Sequence, residues 1–360
     1  MPDTSQAALE EFVRHTQNRP PRGWCLFLGA GTSKADGLPT MTELVETVKQ
    51  QMPATTDAGK FVHAVEQVLR THHATVDPAR PVNVEDLLRE LIQAEQLVDG
   101  KPAVELRYAG CPITPEVLRT AVSGIKAICK AEIAKDCQFD ALFGFLRQWV
   151  EPHQTLDVFT TNWDNAVERV CDRLNVSGEV DLRCCDGFKG FDTKVMDLAL
   201  FADAEPHAKT PGLHHVMLYK LHGSVDWRQT THPTPGRNIL APLAAARGNH
   251  TEEVMIYPTP RKHREILGAP YLDLLRLFGD RLMAPQTKYL LVIGSSFPDE
   301  HINGIIASAL RRPDFNLFVV NPALKTSRVK TMLGDSPRIH EVLPYRLEDF
   351  TRVCQLGRTQ

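Results

Sequence analysis

Two side chains that could take part in catalysis follow apolar stretches that are far apart in the chain. Asn162 comes after Phe159-Thr160-Thr161, and His222 comes after Lys220-Leu221. An asparagine amide both donates and accepts hydrogen bonds, so it can orient a water molecule. A neutral imidazole can act as a general base near neutral pH. Both side chains could therefore support proton-transfer chemistry. For Asn162 this interpretation is stronger than helix capping, whereas a single histidine at a strand end is more often a turn or packing residue.

A glycine turn near the start of the chain could hold a phosphate group. The apolar run Trp24–Leu28 leads into Gly29-Ala30-Gly31-Thr32-Ser33. The two glycines would let backbone amides come close to an anion, and the hydroxyls of Thr32 and Ser33 are further donors. The third glycine of the dinucleotide-binding fingerprint is missing, because Lys34 occupies that position. A tight strand-to-helix turn without a ligand explains the same residues equally well.

Small or polar residues also lie at the ends of the other predicted core strands. They are Thr161, Asp164, Gly294, Ser295 and Asn321. Asp164 is expected first of all to cap the helix that follows it, and Asp299 is expected to cap the helix after the Gly294–Ser296 segment. With Ser296 and Asp299, the residues Ser295 and Asn321 provide the kind of hydroxyl and amide groups that the riboses of a nucleotide need. Because ligands bind outside the carboxyl ends of the strands in an open α/β sheet, we expect the loops to form one crevice.

Strand–helix alternation at both ends of the chain predicts the fold class. The strands are nearly continuous apolar runs, which is typical of a parallel sheet with helices on both faces. We expect an α/β fold with a Rossmann-like, doubly wound, mostly parallel sheet and a helical insertion subdomain. A single domain is predicted over residues 1–358, with its core at about 20–52, 153–175 and 213–358. A helical insertion is predicted at about 55–150 and an irregular insertion at about 176–212.

The composition is that of a globular protein without a nucleic-acid or membrane signature. Of the 360 residues, 42% are apolar and 24% are charged, and the formal net charge is −3. This charge gives no general attraction to nucleic acid, and no apolar run approaches the ~20 residues that span a bilayer. The chain starts without a basic and apolar leader, so we expect a cytoplasmic protein. None of the eight cysteines forms a Cys-x-x-Cys pair, so we expect no zinc ribbon.

Taken in order, the motifs resemble a known family. They are Gly29–Ser33 with Gly37-Leu38-Pro39, Thr160–Asp164, Leu221–Ser224, Gly294–Ser296 with Asp299–Ile302, and Val320–Pro322. The ordered set resembles the sirtuin-like (silent-information-regulator-type) domain family, and it is most similar to the bacterial branch of NAD-degrading anti-phage defence proteins. The resemblance extends from about residue 24 to about residue 322.

Three departures separate the chain from the protein deacylases of this family. Those enzymes usually carry Phe-Arg after their Gly-Ile-Pro segment, whereas this chain has Thr40-Met41. Thr161 stands where they usually have glutamine, and their four-cysteine zinc module has no counterpart here. These differences argue against a deacylase and leave the expected nucleotide site unaffected.

The resemblance implies cleavage of the bond between nicotinamide and ribose in NAD, with nicotinamide and ADP-ribose as products. Asn162 would position the attacking water or the ribose, and His222 would accept a proton. The residues expected to bind the nucleotide are Gly29, Ala30, Gly31, Ser33, Thr161, Asp164, Gly294, Ser295 and Asn321. NAD would be a substrate rather than a recycled cofactor, and no zinc or other metal is expected.

By the same resemblance, the hydrolase would be a regulated effector of abortive infection. Because unrestrained loss of NAD would kill the host, we expect control through a homo-oligomer or a separate partner, such as a HerA-type ATPase or an Argonaute-like protein. Two other functions stay open. One is an NAD-dependent protein deacylase or ADP-ribosyltransferase, and the other is a non-catalytic module that senses NAD or ADP-ribose. The sequence does not distinguish NAD from NADP.

Overall fold

The computed structural model describes most of the chain. The described residues are 4–17, 23–76, 81–98, 106–108, 110–150, 155–190, 194–201, 213–230, 239–240, 251–255 and 269–358. They form two compact units. The larger unit contains the described residues up to Gly37, from Cys137 to Met255 and from Ala269 onwards, and the smaller unit spans Leu38–Asp136.

The elements are named here in chain order. The strands are β1 (Trp24–Leu28), β2 (Leu106–Tyr108), β3 (Cys111–Ile113), β4 (Thr155–Thr160), β5 (Asp181–Cys185), β6 (Phe188–Lys189), β7 (Val195–Met196), β8 (Leu213–Lys220), β9 (Gly223–Thr230), β10 (Ile239–Leu240), β11 (Thr251–Met255), β12 (Tyr289–Ile293) and β13 (Asn316–Val320). The helices are α1 (Thr4–Gln17), α2 (Ala30–Lys34), α3 (Glu43–Gln51), α4 (Asp57–Val76), α5 (Val84–Val98), α6 (Pro115–Ile133), α7 (Asp140–Val150), α8 (Ala166–Ser177), α9 (Tyr271–Met283), α10 (Glu300–Ala309), α11 (Thr326–Leu333) and α12 (Leu347–Arg358). Within the described ranges, no helix is long and apolar enough to cross a lipid bilayer.

Six strands of the larger unit form one parallel sheet. Their order across the sheet is β13-β12-β1-β4-β8-β5, and each neighbouring pair runs parallel. Every residue of β1 and β12 is buried. Strands that are covered on both faces explain the near-continuous apolar runs in the sequence. The predicted class, an α/β fold with a Rossmann-like parallel sheet, is confirmed.

Aromatic contacts show that helices cover both faces of this sheet. Residues an odd number of positions apart in a strand point to opposite faces, so Trp24 and Phe27 do so in β1. The ring of Trp24 contacts Phe12 of α1, with ring centroids 5.8 Å apart. The ring of Phe27 contacts Phe278 of α9, also at 5.8 Å. The core of the larger unit therefore has one apolar layer on each side of the sheet.

The strand order reverses between β1 and β12. From β1 the chain continues to β4 on one side, and it later reaches β12 on the other side of β1. In open α/β sheets, ligands bind in the crevice outside the carboxyl ends of the strands at such a switch point. The loops that follow β1 and β12 are therefore where the fold itself favours a site.

A second, antiparallel sheet is joined to the first through β9, which follows β8 directly. Its strand order is β11-β9-β10-β7-β6. Only Leu221 and His222 separate the end of β8 from the start of β9. Gly223 has a φ of +79°, which glycine adopts far more readily than other residues. This tight turn fixes His222 at the carboxyl end of β8.

The smaller unit consists of α3 to α6 and a hairpin of β2 and β3. The start of α3 is closed by a capping box, in which the Thr40 amide donates to Glu43 Oε2 at 2.9 Å and the Glu43 amide donates to Thr40 Oγ1 at 3.4 Å. At the start of α6, Thr114 Oγ1 accepts from the Val117 amide at 3.1 Å. These caps satisfy amides that have no partner within their helices.

Two predicted boundaries differ from the structure. The insertion predicted at about 55–150 corresponds to a compact unit over Leu38–Asp136, and α7 belongs to the larger unit. The stretch 176–212, predicted to be irregular, contains β5, which pairs in parallel with β8 at the edge of the main sheet. β5 is difficult to recognise in the sequence, because only Leu182 of its five residues is buried and none is β-branched.

Candidate functional site

The glycine turns after β1 and β12 pack directly against each other. The Gly29 amide donates to the Ile293 carbonyl at 2.9 Å, and the Gly31 amide donates to the Gly294 carbonyl at 2.9 Å. A Cβ atom added to Gly31 would lie 2.7 Å from Gly294 Cα. Gly294 has a φ of +67°, and a Cβ there would lie 2.7 Å from the Gly31 backbone. Glycine is required on both sides because two backbones meet here.

This contact changes the role expected for the first glycine turn. The sequence predicts that the amides of Gly29 and Gly31 approach a phosphate, but both amides already donate to the β12 segment and its loop. Ala30 is the first residue of α2, where an amide has no acceptor within its own helix. The two glycines therefore shape the crevice rather than supply anion donors. Their assignment to the nucleotide site stays a prediction.

Asn162 is held at the carboxyl end of β4 by both its backbone and its side chain. Its backbone amide donates to Thr160 Oγ1 at 3.0 Å. Its side-chain Nδ2 donates to the Gly29 carbonyl at 3.1 Å and to Ser33 Oγ at 3.1 Å. These bonds join the loop after β4 to the first glycine turn. With Nδ2 bound to these acceptors, Oδ1 is the atom of Asn162 that can accept from a water or a ligand.

Asp164 serves two neighbours at once. Its Oδ1 accepts from the Ala166 amide at 3.0 Å, so the expected helix cap is present at the start of α8. Its Oδ2 accepts from Ser33 Oγ at 2.7 Å, and both side chains are buried. Ser33 therefore accepts from Asn162 and donates to Asp164. A directed chain of hydrogen bonds fixes the orientation of the Asn162 amide.

His222 forms a close pair with Asp299, for which the sequence predicts only the role of a helix cap. His222 Nε2 lies 3.0 Å from Asp299 Oδ2, and the side chains are 11% and 5% exposed. The cap exists as well, since Asp299 Oδ1 accepts from the His301 amide at 3.1 Å. A carboxylate at this distance from Nε2 restricts the orientation of the imidazole.

Asn321 supports the loop after β12. Its Nδ2 donates to the Ser295 carbonyl at 2.9 Å, and its Oδ1 accepts from the Ala323 amide at 2.9 Å. Ser295 Oγ accepts from the Phe297 amide at 3.2 Å. Phe297 has a φ of +57°, which is uncommon for a bulky residue and is held by the surrounding contacts. The side chains of Ser295 and Asn321 thus define the course of the loop between Gly294 and Asp299.

A buried lysine lies beside these loops, and the sequence does not reveal its role. Lys220 ends β8 and is 2% exposed, and its Nζ donates to Glu168 Oε1 at 2.9 Å and to Ser224 Oγ at 2.8 Å. It also donates to the Asn165 side chain and the Asp164 carbonyl. Burial raises the pKa of Glu168, and the neighbouring ammonium opposes that rise. The only signal in the sequence was a single charge at the end of an apolar strand.

Backbone contacts bring the remaining loops together. The Leu221 amide donates to the Thr160 carbonyl at 2.8 Å, so the turn that carries His222 adjoins the loop of Asn162. Thr161 lies half-buried between Thr160 and Asn162. All the predicted site residues follow the carboxyl ends of β1, β4, β8, β12 or β13. The arrangement provides an oriented amide, a histidine–carboxylate pair and several hydroxyls, a donor set that fits a nucleotide with ribose hydroxyls.

Residues 157–328 match the family model described as SIR2-like domain. This match supports a sirtuin-like family, whose domains are NAD-dependent enzymes. The matched residues include Asn162 and His222, whereas the first glycine turn lies outside them. The hydrogen bonds of Gly29 and Ser33 to Asn162 connect that turn to the matched part. Among the curated proteins, none matches the chain.

Proposed function

We propose that this chain hydrolyses NAD to nicotinamide and ADP-ribose. The observation that carries the proposal is the His222–Asp299 pair at the carboxyl end of the sheet. His222 Nε2 and Asp299 Oδ2 lie 3.0 Å apart, and both side chains are almost buried. A histidine oriented by a carboxylate is suited to accept a proton near neutral pH. The family match at residues 157–328 supports NAD as the substrate class.

The proposed reaction needs one water molecule and no redox step. The water oxygen bonds to the anomeric carbon of the ribose, and the bond to the nicotinamide nitrogen breaks with its electron pair going to nicotinamide. The imidazole of His222 accepts the proton that the water loses and later releases it to solvent. Asn162 Oδ1 accepts a hydrogen bond from the same water or from a ribose hydroxyl. Both groups must be fixed in advance, because the oxocarbenium-like transition state is the species to be stabilised.

The nucleotide would be bound by the loops of the same edge. In this proposal Ala30, Gly31 and Ser33 lie by the pyrophosphate, and Ser295 and Asn321 lie by the adenosine half. Gly29, Thr161, Asp164 and Gly294 complete the proposed set. Their role is largely to hold the loops in position, since the bonds of Gly29, Asp164 and Gly294 stay within the protein.

The test is nicotinamide release from NAD by the purified chain and by His222→Ala and Asn162→Ala. Loss of a positioned general base lowers the rate by roughly 10²- to 10⁴-fold. His72→Ala is the matched control, because it removes an exposed histidine from α4 of the smaller unit. Turnover that survives both site variants would place the reaction elsewhere. Tight NAD binding without turnover would favour a nucleotide-sensing module instead.

The proposed biological role is a regulated effector of anti-phage defence that acts in the cytoplasm, where NAD is available. Such an activity must be silent until it is triggered. We therefore propose control by a homo-oligomer or by a separate protein, such as a HerA-type ATPase or an Argonaute-like partner. Cellular NAD should fall after phage infection in cells that express the wild-type chain, and it should stay constant in cells that express His222→Ala.

A further inference from the structure

Three potential metal ligands meet at the opposite edge of the main sheet from the proposed NAD site. They are Glu11, His15 and His340, and one ligand atom from each lies within 4.8 Å of the others. Their neighbours Tyr289 and Asn316 are the first residues of β12 and β13. The nucleotide loops follow the last residues of these strands, which are four positions further along. At ~3.3 Å per residue the two places are about 13 Å apart along the strands.

The ligand types and their spacing suit a divalent transition metal. Glu11 and His15 are four residues apart on α1, so their side chains lie on the same face of the helix. Two imidazoles and one carboxylate are a ligand set that zinc accepts, with the fourth position left to water. In a tetrahedral site the ligand atoms are about 3.3 Å apart, so binding would bring these atoms together by at most about 1.5 Å. Glu11 can make this movement, because its side chain is 38% exposed.

The imidazole of His340 is already fixed in the manner of a metal ligand. Its Nε2 lies 3.0 Å from Asn316 Oδ1, and an amide oxygen can only accept, so Nε2 carries a hydrogen. Its Nδ1 lies 2.9 Å from Glu11 Oε1. The ring also stacks on Phe318, with centroids 4.1 Å apart. A ligating histidine usually donates its other ring N–H to a neighbouring oxygen, which is the role of Asn316 here.

We propose that Glu11, His15 and His340 bind one divalent transition-metal ion, with Zn²⁺ as the best-suited ion. The ion would join α1 to the segment that follows α11, at the amino-terminal edge of the sheet. The sequence does not reveal this site, because its ligands come from opposite ends of the chain. The proposal is independent of NAD cleavage, and its test reads metal affinity alone.

The test is a zinc titration of the full, tag-free chain after treatment with a chelator, in competition with a chromogenic chelator. We expect one equivalent to bind. His15→Ala and Glu11→Gln should each weaken binding by at least about tenfold, and Asn316→Ala by about 10- to 100-fold. His72→Ala is the control for general histidine binding and should bind zinc like the wild type.

A second measurement uses Co²⁺ in place of zinc. Circular dichroism confirms that each variant is folded. The wild type should give the visible absorption of a four- or five-coordinate ion, and folded His15→Ala should lose it. Absence of stoichiometric binding by the wild type would overturn the proposal, as would unchanged affinity in folded His15→Ala and Glu11→Gln. The cluster would then be an ion pair between His340 and Glu11.

Discussion

At the scale of single residues, the proposed catalysis depends on side chains that hold other side chains. Asn162 is oriented by Ser33, and Ser33 in turn by Asp164. His222 is oriented by Asp299. In each case a buried carboxylate fixes the polar group that would face the substrate. A reaction that builds positive charge on the ribose gains from such groups, because they need no rearrangement as the charge develops.

The first prediction concerns Asp299→Asn. The variant keeps the size of the side chain and a good helix cap, but it removes the charge that orients His222. If His222 is the general base, kcat for nicotinamide release should fall roughly 10²- to 10⁴-fold with little change in KM. The pH dependence of kcat should change as well, because the base loses its anionic partner.

A matched control for this prediction is Asp335→Asn, which neutralises a carboxylate whose side chain is 84% exposed. It should leave kcat and its pH dependence as in the wild type. An Asp299→Asn enzyme with normal kcat and raised KM would show that the carboxylate contributes to binding and not to proton transfer.

Residue types could be predicted from the sequence more readily than residue pairs. The sequence identified Asp164 as a cap and indicated Asp299 in the same role, and both caps are present. The second oxygen of each carboxylate has a partner from a distant segment, Ser33 or His222. Only the fold brings these partners together, so neither pair could be read from spacing along the chain. The hydrogen bonds of Lys220 to Glu168 and to the Asn165 side chain could not be predicted for the same reason.

At the scale of elements, the two glycine turns act as one unit. The turn after β1 and the turn after β12 come from opposite ends of the chain and make reciprocal backbone contacts. A strand-and-turn pattern predicted each turn, and for the first turn it left a phosphate site and a tight turn without a ligand equally open. The structure shows that the glycines permit the close approach of one backbone to the other.

The second prediction tests this contact by comparing Gly294→Ala with Gly304→Ala. At position 294 a Cβ would lie 2.7 Å from the Gly31 backbone and φ is +67°, so the free energy of unfolding should fall by more than about 2 kcal/mol. At position 304, within α10, no heavy atom other than those of the adjacent residues and the helix's own backbone lies within 4 Å of the added Cβ. That variant should be more stable by up to about 1 kcal/mol, because alanine favours the helix. Urea unfolding of both variants measures the difference.

If the free energy of unfolding falls in Gly294→Ala and rises in Gly304→Ala, the destabilisation at position 294 comes from its local contact with the Gly31 backbone. Equal and small effects would contradict the close approach of the turns. Nicotinamide release by folded Gly294→Ala should also fall, because the loop that leads to Asp299 would shift.

Strands buried on both faces could be predicted, whereas the edge strand could not. β1, β4, β8, β12 and β13 have apolar runs that mark them clearly in the sequence. In β5 only Leu182 is buried and no residue is β-branched, and the strand lies at the edge of the sheet, so its sequence resembles a loop. The limits of the helical unit are also difficult to predict from the sequence. The helices α3 and α7 have the same apolar periodicity, and only packing assigns them to different units.

At the scale of the whole molecule, the candidate site is assembled from both ends of the chain. The family match covers residues 157–328, but β1 and its turn lie before the match and supply Gly29 and Ser33. A sequence comparison confined to the matched part would therefore omit the partners that orient Asn162. The parallel sheet is what unites them, because β1 lies between β4 and β12.

The third prediction concerns control of the whole molecule. A hydrolase that consumed NAD without restraint would exhaust the cell that makes it, so the active form should be an assembly whose formation is regulated. If subunits activate one another, nicotinamide release per molecule should rise with protein concentration, together with the molar mass measured by light scattering. Activity that appears only after a second protein is added would assign the control to a partner. A monomer that is fully active on its own would contradict regulation by assembly, because mass action could not then keep the enzyme silent.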